Sequence, residues 1–192
     1  MTKATIFGDG NMGTAIAGIL TEGGATVEHI TTADQGEGTV VGDLVILAVP
    51  YPALDAIVAA YGEQLTGKVV VDITNPLNFE TFDSLTVPAG SSAAAELAAK
   101  LPSSQVLKAF NTTFAATLGS KSVGGHPTTV LIAGDDAEAK TTLADAVTAG
   151  GLAAVDAGDL NRAHELEALG FLQLTLAASG KTSWAGGLAL VN

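Results

Sequence analysis

The chain has 192 residues, 47% of them apolar and only 15% charged, so it can bury a sizeable core and is not globally disordered. Its formal net charge of −12 argues against nucleic acid and against anionic membrane surfaces as partners. The absence of cysteine excludes disulfides, thiol catalysis and thiolate metal sites.

Taken in chain order, short apolar runs alternate with helical patterns. Strands are expected at 4–7, 25–30, 44–49, 69–73, 106–110, 129–133 and 152–155. Helices are expected at 12–21, 53–61, 93–101, 113–118 and 137–149. The stretch 31–39 is too short and too rich in Gly and Thr for a crossover helix, and 74–90, with Pro76 and Pro88, is the longest irregular segment. After Gly158 the pattern becomes one long helix over 160–179, apolar on nearly every side from Leu166 to Ala178. A helix of that kind must be covered on more than one face, by the sheet and by a partner subunit, so a homodimer is expected. The N-terminal run from Met1 enters a strand directly, and no run reaches the ~18 apolar residues of a membrane span. The expected setting is therefore the cytoplasm, with no membrane and no nucleic acid among the partners.

The first strand leads into Gly8-Asp9-Gly10-Asn11-Met12-Gly13, a G-x-G-x-x-G run that opens a helix, with a second strand within ~30 residues. That context, more than the pattern, marks a dinucleotide site. Gly8 makes the tight turn, Gly10 admits the pyrophosphate and Gly13 lets the helix pack on the strand. Backbone N–H groups and the helix dipole supply the local positive potential that the acidic chain lacks. The fold class is α/β: a doubly wound, mostly parallel, Rossmann-type NAD(P)-binding sheet with a C-terminal helical appendage. The division is 1–158 for the dinucleotide-binding domain and 159–192 for a helix and tail.

The tip of the second strand falls at Thr31 and Thr32, where neither an acidic nor a basic residue stands, and this favours NADP over NAD. The third strand ends in Ala48-Val49-Pro50-Tyr51, the fourth in Thr74-Asn75-Pro76, and the fifth in Phe110-Asn111-Thr112. Ligands of open α/β sheets bind at such carboxyl ends. His29, His126 and His164 have no metal spacing, and each reads as a satisfied or solvated side chain. Glu165 and Glu167 read as the polar residues of the last helix, and Trp184 as a core or interface aromatic. No nucleophile–base–acid constellation is visible, so no catalytic residue and no metal ligand is assigned. Hydride transfer between two bound rings needs alignment rather than a strong acid or base.

Gly8–Gly13, Ala48-Val49-Pro50, Thr74-Asn75-Pro76-Leu77, Lys108-Ala109-Phe110-Asn111-Thr112 and Asp156-Ala157-Gly158-Asp159-Leu160 occur in an order that resembles the deazaflavin (coenzyme F-420)-dependent NADP reductases. The same set resembles the oxidoreductase domain of the six-transmembrane metalloreductases. The resemblance implies hydride transfer between NADPH and a small-molecule redox acceptor, a deazaflavin or a flavin. It places the nicotinamide near Pro50, Thr74, Asn75 and Pro76. The second ring would lie between Phe110–Thr113 and a tail at Trp184–Gly187. Where that family often has a Ser-Arg clamp for the 2′-phosphate, this chain has Thr31-Thr32. Gly10–Ile16 also resembles pyrroline-5-carboxylate reductases, and a non-catalytic NADP(H)-sensing module is the alternative outside enzymes.

Overall fold

Short apolar runs of four to six residues, bounded by polar or glycine-bearing turns, form the strands of the sheet, and the central ones are buried on both faces. In the computed structural model, which describes residues 2–34 and 36–191, these are β1 (Lys3–Phe7), β2 (Thr26–Ile30), β3 (Leu44–Leu47), β4 (Val69–Asp72), β5 (Gln105–Lys108), β8 (Thr129–Gly134) and β9 (Ala153–Gly158). They make one seven-stranded sheet in the order β2-β1-β3-β4-β5-β8-β9. Met1 of the N-terminal run and Gln35 of the expected 31–39 loop lie outside the described residues.

Alternate residues of each strand feed two cores. Ile6, Ile46, Val71 and Leu107 pack under α1 (Asn11–Glu22), α4 (Ala115–Ser120) and α5 (Ala137–Ala149). Phe7, Leu47, Val70 and Val106 pack under α2 (Leu54–Leu65) and α3 (Ala93–Lys100) on the other face. The sheet is thus doubly wound. It is also mostly parallel, the exception being the antiparallel contact of β5 with β8. The chain crosses from β1 out to β2 and back to β3 on the other side, and this reversal opens a crevice at the carboxyl ends of β1 and β3.

Three details depart from expectation. The Gly-Gly-His-Pro segment is a two-stranded hairpin, β6 (Ser122–Val123) with β7 (His126–Pro127), turned by Gly124 and Gly125 at positive φ. The 74–90 segment folds on itself: Leu77 is buried and bridges Leu85, and the Thr86 N–H donates to the Pro76 carbonyl at 2.6 Å. The expected helix over 160–179 begins as a single 3-10 turn, Leu160–Arg162, before α6 (Ala163–Ala178). Leu160 and Ala163 join the α2–α3 core, while Leu172 and Leu176 of α6 are exposed. No helix among the described residues is long and apolar enough to cross a membrane.

Candidate functional site

Parallel order brings the carboxyl ends of β2, β1, β3, β4 and β5 into one row. Backbone bonds run on past the strands: the Gly8 N–H donates to the Ile30 carbonyl at 2.8 Å, and the Ala48 N–H to the Phe7 carbonyl at 2.9 Å. Gly8, at φ 97°, leaves no room for a side chain, because a Cβ would lie 2.4 Å from the Ala48 carbonyl oxygen. At Gly13 a Cβ would lie 2.5 Å from the Gly8 carbonyl oxygen, so helix α1 can start this close to β1 only with glycine there. Gly10 differs, since a Cβ there would meet nothing within 4 Å. Asp9, Gly10 and Asn11 are exposed, and Met12 packs on the edge of the core. No side chain caps the N-terminus of α1, which leaves its first N–H groups to a ligand. His29 donates a ring N–H to the Gly8 carbonyl at 2.9 Å and so braces the turn.

At the tip of β2 the expected absence of charge does not hold in three dimensions. Asp34, in the one-turn helix Thr32–Asp34, folds back on Thr31. Its carboxylate accepts from the Thr31 N–H at 2.7 Å and from the Thr31 hydroxyl at 3.1 Å. Thr32 is exposed beside it.

Beyond β3, Ala48 and Val49 are half-buried and Pro50 is exposed. The Tyr51 hydroxyl turns away to α3, donating to Glu96 at 2.6 Å. Burial and the Glu96 carboxylate push that hydroxyl above its ordinary pKa, so it holds its proton. At the end of β4, the Thr74 N–H donates to Asp72 at 2.8 Å, and Pro76 is buried. Asn75 and Asn111 exchange bonds: Asn75 donates to the Asn111 carbonyl and Asn111 to the Asn75 Oδ1, both at 2.9 Å. Phe110 departs from its expected role. Its ring is fully buried in the core, and its φ of 61° turns the backbone so that Thr113 bonds the Phe110 carbonyl. Thr112 is also buried. Three buried oxygens here have no partner: Thr74 Oγ1, Asn111 Oδ1 and Gln173 Oε1.

Beneath these turns lies a buried ion network. Lys108 Nζ is 2.8 Å from Asp72, 2.8 Å from Glu167 and 2.7 Å from the Thr74 carbonyl, which uses all three ammonium donors. Glu167 accepts in addition from the Ala93 N–H at 2.9 Å and the Ala94 N–H at 3.3 Å, at the start of α3. Glu167, read from sequence simply as a polar residue of the last helix, is thus a buried member of this network. Two buried carboxylates share one ammonium, and burial, the largest influence on Glu167, holds its carboxyl above the usual range against the pull of Lys108.

No family model matches the chain. It is 32% identical over 151 residues to the F420-dependent NADP reductase of Methanocaldococcus jannaschii, covering 76% of this chain and 66% of that protein. It superposes with a TM-score of 0.81 on a candidate F420-dependent NADP reductase from Arthrobacter sp. FB24, 25% identical, over 99% of this chain and 100% of that one. The chain belongs to the F420-dependent NADP reductase family. It is thereby placed among NADP-dependent oxidoreductases. It is also 37% identical over 107 residues to Metalloreductase STEAP3 of Rattus norvegicus, which is 56% of this chain but 21% of that protein.

In this family member the residues that organise the site were the hardest to read from sequence. Lys108 inside an apolar strand was a legible signal, because a lysine with no water needs carboxylates around it. Gly170 in the middle of α6 was another: a Cβ there would lie 2.3 Å from Asn75 Oδ1, so α6 rests directly on the asparagine pair. Asp34 and Gln173 gave no comparable signal. Among the described residues no cluster suits a metal ion. A wide recess lined by Gly62, Lys100 and Ser103 lies at the opposite, amino-terminal edge of the sheet.

Lys108→Met leaves two buried carboxylates uncompensated and is expected to cost about 3–5 kcal/mol in urea denaturation. Glu167→Gln leaves the neutral Asp72–Lys108 pair and should cost far less. Because the Glu167 carboxyl binds its proton more readily folded than at about 4.3 unfolded, its contribution falls as pH rises through its raised value. Glu167→Gln should therefore gain stability relative to the parent as pH rises from about 4 through that raised value, and a difference that does not change with pH there would contradict the assignment.

Proposed function

We propose that this chain transfers a hydride between NADP(H) and a deazaflavin or flavin acceptor. The observation that carries this reading is the pairing of an open, uncapped glycine-loop helix with buried, unpartnered oxygens on Thr74 and Asn111 along the same edge. A buried hydroxyl or amide without a partner costs about 1–3 kcal/mol, and a polar ring substituent seated there would remove that cost. Backbone N–H groups around Gly10–Gly13 would hold the pyrophosphate, and Thr74, Asn75 and the half-buried Val49 would border the nicotinamide. The nicotinamide cofactor supplies the hydride when bound.

The chain's own residues act by position. Lys108 has no donor left to give, and Tyr51 is tied to Glu96, so neither serves as an acid at the reacting atoms. With the hydride comes one proton for the acceptor, which water supplies. Residues 159–192 complete the acceptor side: Trp184 packs on Phe114 with ring centroids 5.2 Å apart, and Gly187 lies against Gln173. The exposed Leu172 and Leu176 of α6 support a homodimer through that face.

NADPH deuterated at its transferred position should be oxidised only when a deazaflavin or flavin is added, with deuterium recovered in the reduced acceptor. Tight NADPH binding without turnover on any such acceptor would overturn the enzyme reading in favour of a sensor. Thr74→Val should raise the stability of the free protein by about 1 kcal/mol or more, because it removes a buried hydroxyl that has no partner within the chain. The same change should weaken NADPH binding about fivefold to tenfold if the hydroxyl serves the cofactor.

A further inference from the structure

The ribose of a dinucleotide bound at the glycine loop falls at the tip of β2, because the Gly8 N–H joins that tip at the Ile30 carbonyl, 2.8 Å away. An acidic residue there accepts from a 2′-hydroxyl, and a basic one accommodates a 2′-phosphate. What stands there in this chain is the exposed carboxylate of Asp34, 21 residues beyond Gly13. It is held in place by the Thr31 N–H at 2.7 Å and the Thr31 hydroxyl at 3.1 Å. The same hydroxyl accepts from the Ala33 N–H at 3.2 Å. Thr31 therefore gives its donors to Asp34 rather than to an incoming phosphate.

Among the described residues no lysine or arginine is placed at that tip to offset the charge. Between Lys3 and Lys68 the sequence has neither lysine nor arginine. Lys3 begins β1, at the opposite end of that strand from the glycine loop. Lys68 bonds the Gly42 carbonyl and Asp43, Lys100 pairs with Asp55, and Lys108 is enclosed in its network. Lys121 pairs with Glu22, Lys140 with Asp156, and Arg162 with Glu165. Lys181 lies three residues beyond the end of α6, a helix that packs on α3 and β8.

We propose that Asp34 is the residue that sets cofactor choice: it takes the ribose 2′-hydroxyl of NADH, opposes the 2′-phosphate of NADPH, and so gives this family member the use of both. A carboxylate facing a phosphate at a solvated tip changes the affinity ratio by about tenfold, from the Coulomb energy of unit charges in water. This rests on the dinucleotide reading of the glycine loop.

The test is equilibrium binding of NADPH and of NADH, without acceptor, to the parent and to Asp34→Asn and Asp34→Ala. Asparagine keeps an oxygen for the Thr31 N–H, so the turn survives while the charge goes. The parent should bind the two cofactors within about tenfold of each other, and Asp34→Asn should raise the NADPH:NADH affinity ratio by about tenfold. Asp34→Ala, which also loses the acceptor for a ribose hydroxyl, should weaken NADH further. A ratio that does not move while both cofactors still bind overturns the role of Asp34 and leaves the proposed function standing. A parent that prefers NADPH by more than about a hundredfold does the same. If neither cofactor binds, the inference and the dinucleotide reading fall together.

Discussion

Lys108 carries an ammonium group to a fully buried position at the end of β5, and the carboxyl edge of the sheet is arranged around that fact. An isolated buried charge is prohibitively costly, so the chain must bring acceptors to it from wherever they lie in sequence. Asp72 comes from the neighbouring strand, the Thr74 carbonyl from the turn after it, and Glu167 from a helix that starts eighty-nine residues after Thr74. Glu167 in turn receives two N–H groups from the start of α3. One ammonium thus ties β4, β5, α3 and α6 together directly below the turns that line the groove. With two carboxylates to one lysine, the network fixes geometry more than it adds net stability.

The glycine loop depends on a second kind of constraint, steric rather than electrostatic. Gly8 and Gly13 are sites where neighbouring backbone excludes a side chain, whereas Gly10 faces open space. That division of labour lets an acidic protein present an uncapped helix terminus to an anion without a single lysine or arginine nearby. The asparagine pair and Gly170 extend the same logic to the far end of the groove. There α6 comes so close to Asn75 that only glycine fits between them.

Much of the architecture was legible because local and global signals agree. The strands of the parallel sheet, the helix after Gly10 and the row of polar strand ends all follow from apolar period, glycine spacing and the rule that ligands gather at carboxyl ends. What escaped is long-range or depends on a turn. Glu167 lies in a helix whose neighbours are mostly apolar, and nothing local distinguishes a buried carboxylate from an exposed one. Its partner is fifty-nine positions away by sequence number. Asp34 was missed because register alone points to Thr31 and Thr32, and only the one-turn helix after them returns the carboxylate to the tip. Phe110 was taken for a groove residue because of its place in a strand-end motif. Its left-handed backbone instead sends the ring into the core.

The dependence of the carboxyl edge on Lys108 is tested most directly by a double-mutant cycle on stability with Lys108→Met and Glu167→Gln. If one network holds both residues, the double variant should be more stable than the sum of the single losses implies, by more than about 1 kcal/mol, because removing Glu167 relieves a carboxylate that the lost ammonium had held. Losses that add to within about 0.5 kcal/mol would mean that the two side chains are energetically independent and that the edge is organised by something else.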